Sequence, residues 1–421
     1  MTSLKYMMTP LMNHVFKRVE NTELEQQKEL RQREVFPYYQ PIIEVASGRI
    51  HSFEALARTL DVDGNIQSAG KLFFDPTISD INKLELDQRV RRQAVTQARW
   101  LPANTRLTIN ISPEWISSIH DDGAIPTLQM IYNAGLDPSR VVIELTELKG
   151  DIHRIQSVVR RYRQAGLLIA IDDFGAGFSQ LDRVIALEPD IIKLDMQLFK
   201  QALKGGIAKY VVKSLVELST KCGARIVCEG VETEEDFHFG LKCGAGYMQG
   251  YLFAPASQQF LSVDTFASQV RQLRERFFAQ ICHTENHKNA CINRIKDKVL
   301  ELRSILLTEN TIHLSSLQAN FQGPAELLRF YICDINGNQV SANYNFTPEA
   351  QVWESDTTPI GYNWSWRPYF FKLMALKEHK NTLFSVSDSY QDQSSEQLCI
   401  TLTTFIDDKR LLLVDIINEW D

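Results

Sequence analysis

Two adjacent acids, Asp172 and Asp173, close an apolar run from Leu167 to Ile171 and are followed by Phe174, Gly175 and Gly177. Neighbouring carboxylates repel, so such a pair needs a cation or a proton to be stable. Other apolar runs end in the same way, at Glu54, Asn110, Glu144, Lys193, Glu229 and Gln249. Taken together, Glu54, Asn110, Glu144, Asp172, Asp173 and Glu229 are hard oxygen donors, which suit Mg²⁺ or Mn²⁺. No His or Cys recurs at these ends, which disfavours the usual zinc site. Such a set can hold two divalent ions ~3.5–4 Å apart, the arrangement used for in-line phosphoryl displacement, and lowers the pKa of bound water towards roughly 7. The ions would also reverse the local sign, so that a phosphate diester can approach an acidic pocket. Lys193 would hydrogen-bond that water or offset negative charge.

These residues share a site only if the runs are strands of one sheet. A continuous apolar run reads as a strand buried on both faces. Runs at Leu107–Ile111, Val141–Leu145, Leu167–Ile171, Ile191–Leu194, Ala224–Cys228 and Tyr247–Phe253 alternate with amphipathic stretches such as His153–Ala165 and Ile207–Cys222. Repeated strand and helix units imply a parallel sheet, and their number favours a TIM-like (β/α)8 barrel, whose strand ends converge on one face. Ahead of them, Phe36–Val45 and Arg49–Ala57 read as a hairpin turning at Ser47-Gly48, and Asn82–Trp100 as a helix.

The chain has 421 residues, which implies more than one core. Apolar content of 44% and charged content of 23% are ordinary for a globular protein. A net charge of −7 argues against affinity for nucleic-acid polymers or anionic membranes. No apolar run approaches the roughly 18 residues of a membrane span. The start, MTSLKYMMTPLMNHVF, lacks the pattern of a signal peptide. Seven scattered cysteines fit reduced thiols in the cytoplasm better than a disulfide framework.

Residues 1–34 read as a helical extension and 35–262 as the barrel. Residues 263–310 read as a helical connector, with Val263, Phe266, Val270, Leu273 and Phe277 and then Ile292, Ile295, Val299, Leu302 and Leu306 at pairing-seam spacing. The polar stretch Cys282–Cys291 between them reads as a hinge-like break; Cys282, His283, His287 and Cys291 also invite a metal reading, although paired short spacings are missing. Residues 311–421 read as a small α+β domain. It has a hairpin over Phe330–Cys333 and Val340–Tyr344, a helix start near Trp364–Phe371, and strands near Leu383–Val386, Leu398–Phe405 and Arg410–Ile417.

The motifs Glu54-Ala55-Leu56 with Arg58, Asn110 in INISP, Glu144-Leu145-Thr146-Glu147 and Asp172-Asp173-Phe174-Gly175 resemble those of the EAL family of cyclic-di-GMP phosphodiesterases. So do Lys193 in IIKLD, Glu229-Gly230-Val231-Glu232, Gln249-Gly250-Tyr251 and the early Tyr39-Gln40-Pro41. The resemblance implies a barrel with one irregular, antiparallel first strand. It implies one cation on Glu54, Asn110, Glu144 and Asp172 and a second on Asp172, Asp173 and Glu229, with a bridging water as nucleophile. Lys193, Glu229 and Glu54 would serve catalysis. Gln40, Leu56, Arg58 and Gln249 would bind substrate, Leu56 and Arg58 at its guanine and phosphate and Gln249 at a metal-held water. Glu147 would anchor the Asp-Asp loop and Glu232 would support the site from behind. The product would be linear pGpG; the alternative is a catalytically silent receptor.

Residues Asn363–Phe370 resemble the PAS/Cache-like domain of YkuI-type EAL proteins. That implies a pocket around Trp364, Arg367 and Tyr369 for an unknown small ligand or protein, and a homodimer. Read alone, Glu147 and Glu232 fit helix capping, Arg58 a surface residue, and Trp364, Trp366 and Tyr369 a small aromatic core. A barrel glycosidase with a carboxylate pair would need no metal and would leave Asn110 and Lys193 without a role.

Overall fold

The computed structural model describes residues 34–112, 115–116, 119, 123–145, 151–175, 181–308, 312–376, 384–418 and 420. The expected helical extension therefore lies outside the described residues. The chain forms two compact units, Met1–Phe277 and Phe278–Asp421.

In the first unit the apolar runs are strands: β1 (Val35–Glu44), β2 (Ile50–Leu60), β3 (Ile66–Ser68), β4 (Arg106–Ile111), β5 (Val141–Leu145), β6 (Leu168–Phe174), β7 (Ile191–Leu194), β8 (Arg225–Cys228) and β9 (Tyr247–Met248). Their order is β1-β9-β8-β7-β6-β5-β4-β2-β3, and β1 also pairs with β2, which closes an eight-stranded barrel and leaves β3 outside it. β1 runs antiparallel to both of its neighbours, while the steps from β2 through β4 to β9 are parallel. The last strand is shorter than the run Tyr247–Phe253 suggests, because the chain turns at Gly250–Phe253. A Cβ on Gly250 would lie 2.1 Å from the Val231 carbonyl oxygen, so only glycine fits where the two loops touch.

The helices carry apolar stripes onto the barrel. In Ile152–Gln164 the buried residues are Ile155, Val158, Val159 and Tyr162, one face at helical spacing. Each such aliphatic contributes roughly 1.5–3 kcal/mol when fully buried, so Val158→Asp would detach this helix. Asp151 caps its start by accepting from the His153 N–H. Helix Ile207–Cys222 stops at Gly223, which takes the left-handed conformation.

The first part of helix Ala267–Thr308 adds Val270 and Leu273 to the barrel core. This helix is continuous through Cys282–Cys291, where a break was expected. The polar stretch interrupts the apolar seam but holds no proline or glycine, so the backbone ladder has no reason to stop.

The second unit holds an antiparallel seven-stranded sheet, ordered β12 (Val352–Asp356), β11 (Asn343–Thr347), β10 (Leu327–Asp334), β16 (Arg410–Ile417), β15 (Leu398–Phe405) and β13 (Ser385–Val386), with β14 (Tyr390–Gln391) beside β15. One face packs Phe330, Ile332, Leu402 and Val414 with Ile295, Val299 and Leu302. The other packs Tyr331, Cys333 and Leu413 under Tyr369, Phe370 and Leu373 of helix Pro368–Ala375. The hairpin arm begins at Asn343, not Val340: Gln339 bridges Cys333 and Val340 donates to the Ile332 carbonyl, but the Ile332 N–H then bonds the Ser341 hydroxyl in place of a backbone carbonyl. β12 was not anticipated; Trp353 is its single buried residue, too little for an alternating pattern.

Candidate functional site

Strand register brings the tips together. Glu54 on β2 lies opposite Gln40 on β1, and Asn110 on β4 lies level with Glu144 on β5. The β6–β7 register slips between Ile171 and Phe174, at the paired acids. There Asp173 adopts a left-handed φ of 50°, a conformation that costs of order 1 kcal/mol or more in a non-glycine residue and persists only where its surroundings hold it.

Lys193 stands at the centre with 1% of its surface exposed. Its Nζ lies 3.1 Å from Glu54 Oε2, 3.1 Å from Glu144 Oε2, 3.0 Å from Asp172 Oδ1 and 2.7 Å from Glu229 Oε1. Gln249 donates from Nε2 to Glu54 Oε2 at 2.7 Å and to Gln40 Oε1 at 3.3 Å, and Gln40 donates to the Ala254 carbonyl. Asn110 Nδ2 donates to Glu54 Oε1 at 2.9 Å. Asp173 is more exposed than its neighbour Asp172.

Four carboxylates contact one ammonium, a fifth, Asp173, stands beside Asp172, and their proton affinities diverge. Burial, and then the charge of Glu54, raise Glu144 well above the usual carboxylate range. Burial likewise raises Asp172, and pushes Glu229 to about 8 against the pull of Lys193. Asp173 rises to about 6 through burial and the adjacent Asp172 charge. Burial works the same way on Glu54, but Lys193 and the donors Gln249 and Asn110 outweigh it and hold this carboxyl low. Burial opposes the charge on Lys193, and its carboxylate neighbours override it, so the ammonium is retained well above its ordinary pKa. One cation does not neutralise this pocket; it favours further positive charge.

The residues fit divalent ions. Ligand oxygens of Glu54, Glu144 and Asp172 lie within 4.8 Å of one another, and so do those of Asp172, Asp173 and Glu229, with Asp172 common to both groups. Asn110 Oδ1 and Gln249 Oε1 are buried without a hydrogen-bond partner. Asp172 Oδ1 is within ion-pair distance of Lys193 but accepts no well-directed hydrogen bond. Buried acceptors left in this state cost about 1–3 kcal/mol each, and a hard cation would satisfy them.

Beside this cluster lies a cavity of about 660 Å³, lined by Leu56, Arg58, Asn110 and Asp173 among others, a size typical of small-molecule sites. Part of its lining was not anticipated: Asp80, Lys83, Asp87 and Arg91 present one face of helix Asp80–Gln97, and Phe73 and Phe74 line the cavity as well. The spacing of 80, 83, 87 and 91 was the available signal. Glu232 does not touch the cluster; its carboxylate accepts from Lys200 at 3.4 Å. Glu147 lies outside the described residues.

In the second unit Tyr369 is buried, its hydroxyl 3.4 Å from that of Tyr331. Trp364 donates to Gln339 at 2.9 Å, and the Arg367 guanidinium lies 4.2 Å from the ring centre of exposed Trp366. Arg329, missed in the sequence, is buried against Asp415 and Asp392. In the long helix, His287 Nδ1 and Cys291 Sγ are 3.9 Å apart, and Cys282 and His283 sit in the preceding turns.

A family model described as the EAL domain matches residues 23–256, and one described as an EAL-domain associated signalling protein domain matches residues 260–420. The chain is 30% identical over 395 residues to the EAL-domain protein YkuI of Bacillus subtilis, covering 91% of this chain and 94% of that protein. The crystal structure of YkuI in complex with cyclic-di-GMP and calcium superposes with a TM-score of 0.81 at 26% identity, over 93% of this chain and 96% of that one. A cyclic di-GMP phosphodiesterase of Pseudomonas aeruginosa is 32% identical over 223 residues, which span 51% of this chain and 37% of that protein. With acids from four barrel strands gathered where those motifs predict, and a match across more than half its length, the chain belongs to the EAL-domain family.

Proposed function

We propose that this protein hydrolyses cyclic-di-GMP to linear 5′-pGpG with the help of divalent cations. The observation that carries the reading is Asp172, shared by two carboxylate groups around a buried ammonium at the edge of a nucleotide-sized cavity. Glu54, Asn110, Glu144 and Asp172 would hold one Mg²⁺ or Mn²⁺, and Asp172, Asp173 and Glu229 the other. Bound there, the ions supply an acidified water and offset charge on the phosphoryl oxygens. Overall, one water is consumed and one phosphate–O3′ ester bond is cleaved.

The remaining chemistry belongs to the chain's own side chains. Lys193 keeps its proton, donates to Glu54 and Glu144 and pairs with Asp172 and Glu229, so it spaces the acids; an N–H released from one of them would serve a nucleophilic water. Gln249, itself bonded to Gln40, orients Glu54. Leu56 and Arg58 in the cavity wall would meet a guanine and a phosphate. Glu147 is assigned to the anchoring of the Asp-Asp loop and Glu232 to the support of the site from behind.

The test is chromatography of products from cyclic-di-GMP, with Mg²⁺ and with EDTA. Metal-dependent pGpG supports hydrolysis, whereas tight binding with no product at saturating metal would make the protein a receptor.

We further assign residues 311–421 to a PAS/Cache-like regulatory domain with Trp364, Arg367 and Tyr369 as its candidate pocket. A homodimer is favoured by exposed Leu181 and Ile185, one turn apart on helix Leu181–Leu187. A cytoplasmic setting is favoured by seven cysteines that are all unpaired.

A further inference from the structure

We infer that helix Met196–Leu203 is a strut shared by the two acid-bearing loops, with Lys200 as its latch, and that it fixes the spacing of the cluster Asp172, Asp173 and Glu229. The inference rests on the two-cation reading above, and it assigns a positioning role to Met196, Leu198, Lys200 and Asp236, which lie outside the motifs.

The two loops approach the helix at glycines. After Asp172 and Asp173 the chain passes through Phe174 to Gly175, where a Cβ would stand 2.2 Å from Leu198 Cδ2. After Glu229 it passes through Gly230, where a Cβ would stand 2.2 Å from Met196 Cγ. Gly175 has φ 116° and Gly230 φ 64°, so both positions need glycine for conformation as well as space. Each loop thus rests its backbone on this helix, within one to three residues of the acids it carries.

Polar contacts lock both ends. At the N-terminus, Asp195 caps the helix by accepting from the N–H groups of Gln197 and Leu198 at 3.0 Å each. The Asp195 N–H in turn donates to the Phe174 carbonyl at 3.1 Å. Near the C-terminus, Lys200 Nζ donates to Asp236 Oδ2 at 2.6 Å and to Glu232 Oε2 at 3.4 Å. Asp236 is 1% exposed, and the same Oδ2 accepts the N–H groups of Glu232 at 2.9 Å and Thr233 at 2.8 Å. That carboxylate therefore fixes the backbone three residues beyond Glu229, and Lys200 ties it to the strut. From Asp173 to Glu229 the path runs through Phe174, Asp195, the helix, Lys200 and Asp236.

A divalent cation held by oxygens at fixed distances is sensitive to such spacing, and groups behind the ligands are commonly worth 10- to 100-fold in metal affinity. The other group, Glu54, Glu144 and Asp172, sits on β2, β5 and β6 and does not depend on this helix for Glu54 or Glu144. The strut should therefore act on one cation and largely spare the other.

The test is a Mn²⁺ titration of the full chain, read by electron paramagnetic resonance of free Mn²⁺, for the wild type, Lys200→Met and Lys200→Arg. Lys200 has 28% of its side chain exposed, so its removal opens no cavity. The expected result is two binding events in the wild type, with one of them shifted roughly 10-fold or more by Lys200→Met, the other unchanged, and recovery in Lys200→Arg, which can still pair with Asp236. Unchanged binding in Lys200→Met, or equal weakening of both events, would overturn the latch. Fewer than two events in the wild type would instead defeat the two-cation reading. A fall in melting temperature without a selective change in Mn²⁺ binding would show a merely structural pair and likewise refute the inference.

Discussion

Replacing Lys193 with methionine keeps the volume of the side chain and removes its charge. The ammonium lies within 3.1 Å of carboxylates from Glu54, Glu144, Asp172 and Glu229, and 1% of the residue is exposed. Breaking a buried ion pair by deleting one partner costs about 3–5 kcal/mol, because the other charge is left uncompensated. For a domain of this size each kcal/mol moves the melting temperature by about 2–4 °C, so in EDTA the barrel transition of Lys193→Met should fall by roughly 6–20 °C. The orphaned carboxylates can recover in two ways. They can take up protons, so the gap to wild type should narrow at pH 5. They can also take up cations, now without competition from the ammonium. At about 100 times its dissociation constant an ion contributes about 2.7 kcal/mol, so excess Mn²⁺ should restore most of the loss and stabilise the variant more than the wild type. Product formation should remain absent in both conditions. Differential scanning calorimetry with EDTA and with Mn²⁺ reads these effects. The reasoning fails if the EDTA melts of the two proteins coincide, or if Mn²⁺ stabilises the variant less than the wild type.

The pH dependence of the metal-free protein has a definite sign. Glu229 is raised from 4.5 to about 8 and Asp173 from 3.8 to about 6, so the folded state binds more protons than the unfolded one between those values. Stability should fall as pH rises from about 4.5 to 8 in EDTA, and saturating Mg²⁺ should flatten that slope; urea melts across this range would show a rise instead if the sign were wrong. Asp172→Asn removes a ligand common to both cation groups and should abolish hydrolysis and weaken both Mn²⁺ binding events, measured by calorimetric titration. Arg58→Ala, in the cavity wall, loses a charge-assisted hydrogen bond worth about 1.5–3 kcal/mol and should raise KM about tenfold or more while kcat changes little. In the second unit Asp415→Ala removes one of the two carboxylates that pair with buried Arg329 and leaves Asp392 in place. It should lower the stability of that unit by about 1–3 kcal/mol, and an unchanged midpoint in chemical denaturation would show the pair to be dispensable.

The amino-acid order alone determined the barrel and its metal-binding end. Runs such as Val141–Leu145 and Ile191–Leu194 are buried throughout their length, so no alternation competes with the strand reading. Most of these polar residues lie at or near the C-terminal end of their strand, whereas Glu54 sits midway along β2, in the segment Ser52–Ala55 that pairs with β4. A parallel barrel then has one way to gather them, which is why Glu54, Asn110, Glu144, Asp172, Lys193 and Glu229 were identifiable before any coordinates. Tertiary structure alone decided the rest. It put Lys193 in contact with four acids drawn from separate strands. It turned the Glu232 side chain towards Lys200 and gave the loop contacts to Asp236. It carried the long helix through its polar middle, where helix propensity outlasts the apolar seam. It also buried Arg329 with Asp415 in the second unit. These pairings join residues distant in sequence through geometry that no local period encodes, and the strut of Met196–Leu203 belongs to the same class.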